Sequence, residues 1–195
     1  GERKKITEAL GKGGYAAADM DDGVAVIVPM IGHTLTVALP EGTTLADVCE
    51  ARVQIEAPCA AMAAERCDDA DVARLREAAN LCELVGHDHQ RFVVESSEFH
   101  ALIVELARNQ TLRLLHGVIR SVIDMAKFRR FSDPDELAAR RKAHDHGTSA
   151  HQLLVEHVAA GDAAAAESLW RRHLAASNRL LLSVPESDGP LDLSR

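Results

Sequence analysis

Gly161-Asp162 interrupts an otherwise unbroken helical pattern between His151 and Leu174. Glycine is common just past a helix end, and aspartate caps the free N–H groups of the helix that follows. The stretch therefore reads as a helical hairpin, with His151-Gln-Leu-Leu-Val-Glu-His-Val on one arm and an Ala-rich run ending Leu169-Trp-Arg-Arg-His-Leu on the other. Antiparallel packing of the arms can bring His151 and His173 to one depth in a bundle interior, where neutral imidazoles suit zinc and similar borderline ions. A hairpin with one apolar stripe per arm buries it only against further helices, so the rest of the chain must supply them.

It does so from Thr43 onward. Thr43 or Thr44 can cap a helix through Leu45, Val48, Arg52, Ile55 and Glu56, which Pro58 must kink or restart because its ring clashes with the preceding turn. Asp68 and Asp69 cap the next helix, with Val72, Leu75, Ala79, Leu81 and Leu84 on its apolar side and Gly86 closing it. Asp88 opens a helix carrying Phe92, Val93, Phe99, His100, Ile103 and Val104. Another runs from about Thr111 to Phe131, and a further one follows Ser132-Asp-Pro-Asp135, with an irregularity expected at Gly147. Apolar residues make up 47% of the 195 residues and aromatics only 3%, a balance that favours Ala- and Leu-rich helices over β-sandwiches.

Residues 1–42 differ in texture. A short basic helical piece, Glu2 to Leu10, precedes Gly11, Gly13 and Gly14, and two β-prone runs, Val24–Val28 and Thr34–Leu39, flank a turn like a hairpin or wing. Pro29 is expected to break the first run. The division expected is 1–42 as a partial wing-like segment, 43–183 as the helical domain and 184–195 as a polar tail. The fold class is all-α: an antiparallel bundle of six to seven helices with a small N-terminal α/β remnant.

Charge and cysteine usage exclude several classes. A net charge of −8 argues against a chain that coats nucleic acid along its length. Cys49, Cys59, Cys67 and Cys82 form no CxxC pair and read as small core side chains rather than disulfides or a zinc ribbon. No run reaches the roughly 20 apolar residues of a membrane span, and the expectation is a reduced, cytoplasmic protein with no membrane partner.

His100 adds a third histidine to the pair in the hairpin. It shares a helix face with Phe92, Ser96, Ile103 and Val104, which points it inward. Three inward histidines on three helices could make a metal site with positions open for water or a ligand, or could be satisfied core residues.

Together these residues resemble a family. Glu50-Ala-Arg52-Val-Gln-Ile-Glu56 followed by Ala60-Ala-Met-Ala-Ala-Glu-Arg66, then Phe99-His100…Asn109, then His151…Gly161-Asp162…His173-Leu174, are similar to the FCD effector-binding domain of the FadR branch of GntR transcription regulators. The 22-residue separation of His151 and His173 matches that family's spacing, and the resemblance covers about residues 43–183. It implies an all-α bundle enclosing a pocket where an aspartate and three histidines hold a divalent metal, zinc or nickel, which helps bind a small carboxylic-acid effector. The histidines would be His100, His151 and His173. The family's aspartate lies four residues before the first of them, where this chain has Ser96, so one anionic donor is lost. Arg52 is the candidate for binding the effector's carboxylate through a bidentate fork, or for an intrahelical pair with Glu56.

The resemblance also implies a homodimer bearing winged helix-turn-helix modules. About 40 residues precede the helical domain, against the roughly 60–70 that a complete module needs, so operator DNA is expected as a partner only where the module is complete. The function expected is a ligand-responsive transcription regulator rather than an enzyme. The alternatives are a three-histidine metal-dependent hydrolase and a metal-free helical interaction module.

Overall fold

The computed structural model describes residues 17–20, 23–30, 33–86, 88–131, 137–183 and 191. Three strands, β1 (Ala17–Met20), β2 (Gly23–Met30) and β3 (His33–Pro40), form an antiparallel sheet in chain order. Six helices follow: α1 (Leu45–Arg66), α2 (Asp69–Leu84), α3 (His89–Leu106), α4 (Gln110–Phe131), α5 (Leu137–Ala159) and α6 (Ala163–Leu181). The expected basic helix at residues 2–10 and most of the polar tail lie outside the described residues.

The β2–β3 hairpin is the wing-like pair expected from the sequence, but Pro29 does not end β2; it pairs opposite Thr34. Among the described residues β1 pairs with β2 from Gly23 to Val26, short of Pro29. Pro58 likewise lies within α1, and Gly147 within α5, without ending either helix. Glycine at 147 has a packing reason, since a Cβ there would come 3.1 Å from the Phe92 ring.

Local chemistry sets the helix starts. Thr44 and Asp47 make a reciprocal capping box on α1, with the Asp47 N–H donating to Thr44 Oγ1 at 3.1 Å and the Thr44 N–H to Asp47 Oδ2 at 2.8 Å. Asp68, Asp88 and Asp162 cap α2, α3 and α6 in the same sense, each accepting from the third residue onward. Gly161 takes the left-handed turn (φ 69) between α5 and α6 that the hairpin reading requires.

The main core joins α1, α2, α3, α5 and α6 around Leu75, Phe99, Ile103, Leu154, Trp170 and Leu174, all at most 1% exposed or fully buried. Along α1 the buried residues Ala57, Ala60, Ala63 and Ala64 carry no bulk beyond a methyl group, which allows the neighbouring helices to approach closely. A second cluster of Val48, Cys49, Val122, Ile123 and Leu181, with Leu39 of β3 packed against it, ties the sheet to the bundle. All four cysteines are free thiols, as expected. Among the described residues, no helix is long and apolar enough to cross a membrane.

Candidate metal centre and its cavity

Three helices deliver the three histidines to one point. His100 comes from α3, on the face that also buries Phe92, Ser96 and Ile103; His151 from α5; and His173 from α6. Each offers a ring nitrogen, and these ligand atoms lie within 4.8 Å of one another. His100 Nε2 and His173 Nε2 are 3.4 Å apart. Two nitrogens bound to one tetrahedral zinc at about 2.05 Å would be separated by about 3.3 Å. His151 is fully buried, with its ring stacked on Phe99 at 4.1 Å between centroids. Trp170 covers the cluster, with its ring 4.6 Å from those of both His100 and His173.

Glu56 on α1 fixes the chemistry of His100. Its Oε2 lies 2.5 Å from His100 Nδ1 and 3.3 Å from the Trp170 Nε1–H, while Oε1 accepts from Arg52 Nε at 2.7 Å and faces His116 Nε2 at 3.3 Å. Arg52 Nη2 also lies 3.0 Å from His100 Nδ1. A ring nitrogen that donates to a carboxylate cannot accept from a guanidinium, so the shorter, charge-matched bond sets the tautomer. His100 carries its proton on Nδ1 and presents the Nε2 lone pair to the other histidines. This is the carboxylate–histidine support that orients ligating imidazoles and raises their basicity.

Burial opposes ionisation of Glu56. The Arg52 charge and the hydrogen bonds from His100 and His116 outweigh it and hold the carboxyl well below the usual range. All three clustered histidines go the other way. Burial pushes His100 down to about 3 despite the pull of Glu56, and burial drives His151 and His173 well below 6.5, helped by neighbouring ring and guanidinium charges. The imidazoles are therefore neutral at pH 7, the form that binds metals. Both ring nitrogens of His151 and Nδ1 of His173 are buried without a hydrogen-bond partner. An unmade bond at such an atom costs about 1–3 kcal/mol, which marks the cluster as built for something other than self-satisfaction.

His100 and His173 form part of the wall of a cavity of about 450 Å³, which Ser96, Lys127, His146 and Arg179 also line. No aspartate or glutamate is among its lining residues that are described. Lys127 on α4 is 8% exposed and has no hydrogen-bond or ion-pair partner among the described residues. Burial, reinforced by the Arg52 charge, pushes its ammonium down to about 8.

The residues anticipated from the sequence are placed as follows. His100, His151 and His173 converge. Ser96 is buried one turn before His100 and lines the cavity with it. Arg52 is buried, yet it is spent on Glu56, on contact with His100 and on Asn178 at 3.5 Å, and it is not among the cavity's lining residues. Arginines on α4 were not anticipated at the site: Arg113 is exposed, Arg120 pairs with Glu98 and Asp124, and the side chain of Arg129 lies outside the described residues. Sequence reasoning missed Lys127, His116 and the bond from Glu56 to His100. Lys127 falls beside the basic run Phe128-Arg-Arg, which by itself resembles a solvated surface.

The fold is similar to that of E. coli McbR/YncC, with a TM-score of 0.62 and 14% identity over 92% of this chain and 82% of that one. It is also similar to Lar, which controls the expression of the Listeria monocytogenes agr system and mediates virulence, with a TM-score of 0.61 and 14% identity over 93% of this chain and 79% of that one. At that identity the two likenesses speak for the fold alone. No curated protein matches the chain. The family model of the FCD domain matches residues 47–176, from the first turn of α1 into α6, and takes in all three histidines. The chain belongs to the FCD domain family, the effector domains of GntR-type transcription regulators.

Proposed function

We propose that this regulator senses a small carboxylate through a divalent metal ion, zinc or nickel, held by His100, His151 and His173. The observation that carries this reading is the meeting of three neutral imidazoles, two of them with unsatisfied ring nitrogens, at the wall of a cavity whose described lining includes a buried ammonium and no carboxylate. The donor set fits the ion: three imidazoles on three helices, one of them tautomerically fixed by Glu56, leave coordination positions open toward the cavity. Bound there, the ion supplies Lewis acidity for a carboxylate oxygen. The protein supplies shape, neutral ligands and a countercharge at Lys127. Ser96 contributes a small neutral side chain in place of an acid, which leaves room and charge for the effector's own oxygen.

A hydrolytic use of the three histidines would require a general base near the open positions. Glu56 is the carboxylate bonded within the cluster, and its two oxygens are occupied by Arg52, His100, His116 and Trp170. The regulatory output is population shift: effector binding biases the bundle, and a homodimer converts that bias into the spacing of two DNA-binding modules on operator DNA.

The test is metal analysis of the purified protein, followed by thermal unfolding with zinc, nickel and a panel of hydroxy, keto and dicarboxylic acids. Binding at 100-fold excess over Kd should add about 2.7 kcal/mol of stability, and His151→Ala should abolish the metal-dependent part. No bound metal and no shift with any acid would overturn the reading.

A further inference from the structure

We propose that Lys127 anchors a second acidic group of the effector, so that the cavity selects small di- or tricarboxylates over monocarboxylates. The proposal rests on the metal–carboxylate reading above and adds to it a specificity residue and a ligand class.

Charge in a buried space sets the ligand class. Arg52 and Glu56 are each at most 2% exposed and cancel one another at 2.7 Å. The three histidines are neutral. Lys127 is also buried and lines the cavity, and it makes no hydrogen bond or ion pair to an acid among the described residues, although Asp124 and Glu56 attract its charge from further off. The aspartate one turn before it on α4, Asp124, is already engaged: Ser97 Oγ donates to Asp124 Oδ2 at 2.7 Å, and Arg120 Nε reaches the same oxygen at 3.3 Å. Lys142 and Arg179 add further positive charge to the lining, and both are exposed. A monocarboxylate on the metal would leave the Lys127 ammonium desolvated and unanswered. A second carboxylate on the same small molecule answers it, with a charge-assisted hydrogen bond to a buried ammonium. Helix geometry supports the division of labour. The metal ligands come from α3, α5 and α6, whereas Lys127 comes from α4, so the two anchoring points are independent of each other in the chain.

The experiment uses the full chain loaded with zinc and isothermal titration against matched acids differing by one carboxylate: butyrate against succinate, and pentanoate against glutarate. Wild type should bind the dicarboxylate about tenfold more tightly or better. Lys127→Met should erase that preference while its zinc content, read by elemental analysis, stays at the wild-type level; Lys127→Arg should keep part of it. Equal affinity of wild type for the two members of a pair, or a preference that persists in Lys127→Met, overturns the proposal and leaves the metal–carboxylate reading standing. Zinc-loaded wild type that binds none of the four acids, or a protein that holds no zinc, removes both.

Discussion

Replacing Lys127 with methionine should stabilise the ligand-free protein. The ammonium is moved from an ordinary value of 10.5 to about 8, chiefly because burial penalises its charge. A displacement of that size corresponds to a cost on the order of 3 kcal/mol, at about 1.4 kcal/mol per pH unit. Methionine fills a similar path without a charge to desolvate. Because the folded value lies below the unfolded one, the unfolded chain holds the extra proton between about pH 8 and 10.5. The cost is therefore fully present below pH 8 and fades as the pH rises through that window. Urea denaturation of wild type and Lys127→Met, both metal- and effector-free, should show the variant more stable by about 1–3 kcal/mol at pH 7, with the gap closing toward pH 10.5. A variant less stable at pH 7, or a gap that ignores pH, would mean that Lys127 has a partner or water enough to keep its charge, and the cavity argument built on it would fall. An effector that needs Lys127 makes the same substitution stabilising for the fold and damaging for binding, a trade characteristic of functional sites.

Glu56→Gln should be costly in two separate readouts. Breaking a buried pair strands Arg52 and should cost about 3–5 kcal/mol in denaturation, and loss of the bond to His100 Nδ1 should weaken zinc by about 10–100-fold. Unchanged zinc affinity would show that Glu56 serves the fold only. Ser96→Asp, one turn from His100 on the same buried face, should tighten zinc measurably in competition with a chelator, and no change would place residue 96 out of reach of the ion. The metal-free protein should lose stability as the pH falls from 6.5 toward 3, because the unfolded histidines take up protons that buried His100, His151 and His173 refuse. Urea midpoints that are flat across pH 7.5 to 5.5 would count against that burial. Protein saturated with zinc should hold its midpoint further into the acid range than metal-free protein.

Much of the site was legible because it is written in local signals. Asp162 and Gly161 punctuate the hairpin, so the register of His151 and His173 follows from helix geometry, and the burial of His100 follows from the residues that share its face. Even Ser96 was placed on the right face by its distance of one turn from His100. What could not be read is what depends on packing between distant parts of the chain. Arg52 and Glu56 are four residues apart, so their pair was foreseeable, but the bond that carries Glu56 to His100 spans 44 residues. Lys127 shows the same limit from the other side. Its helix also carries arginines that are exposed or paired on the surface, and only the crossing of α4 with its neighbours turns this one cation inward. Pro29 misleads for a related reason: a proline forbids a hydrogen bond from its own nitrogen, and whether a strand can carry one depends on its neighbours rather than on the local sequence.

Trp170 gives the chain its own optical meter. It is the only tryptophan in the sequence, it is fully buried, and its ring lies 4.6 Å from those of two of the three histidines while its N–H reaches the carboxylate that supports them. An open-shell ion such as nickel held there would darken its emission, whereas closed-shell zinc would change only its surroundings. Occupancy, ion identity and exchange could thus be followed in unlabelled protein from a single indole, with no background from any other.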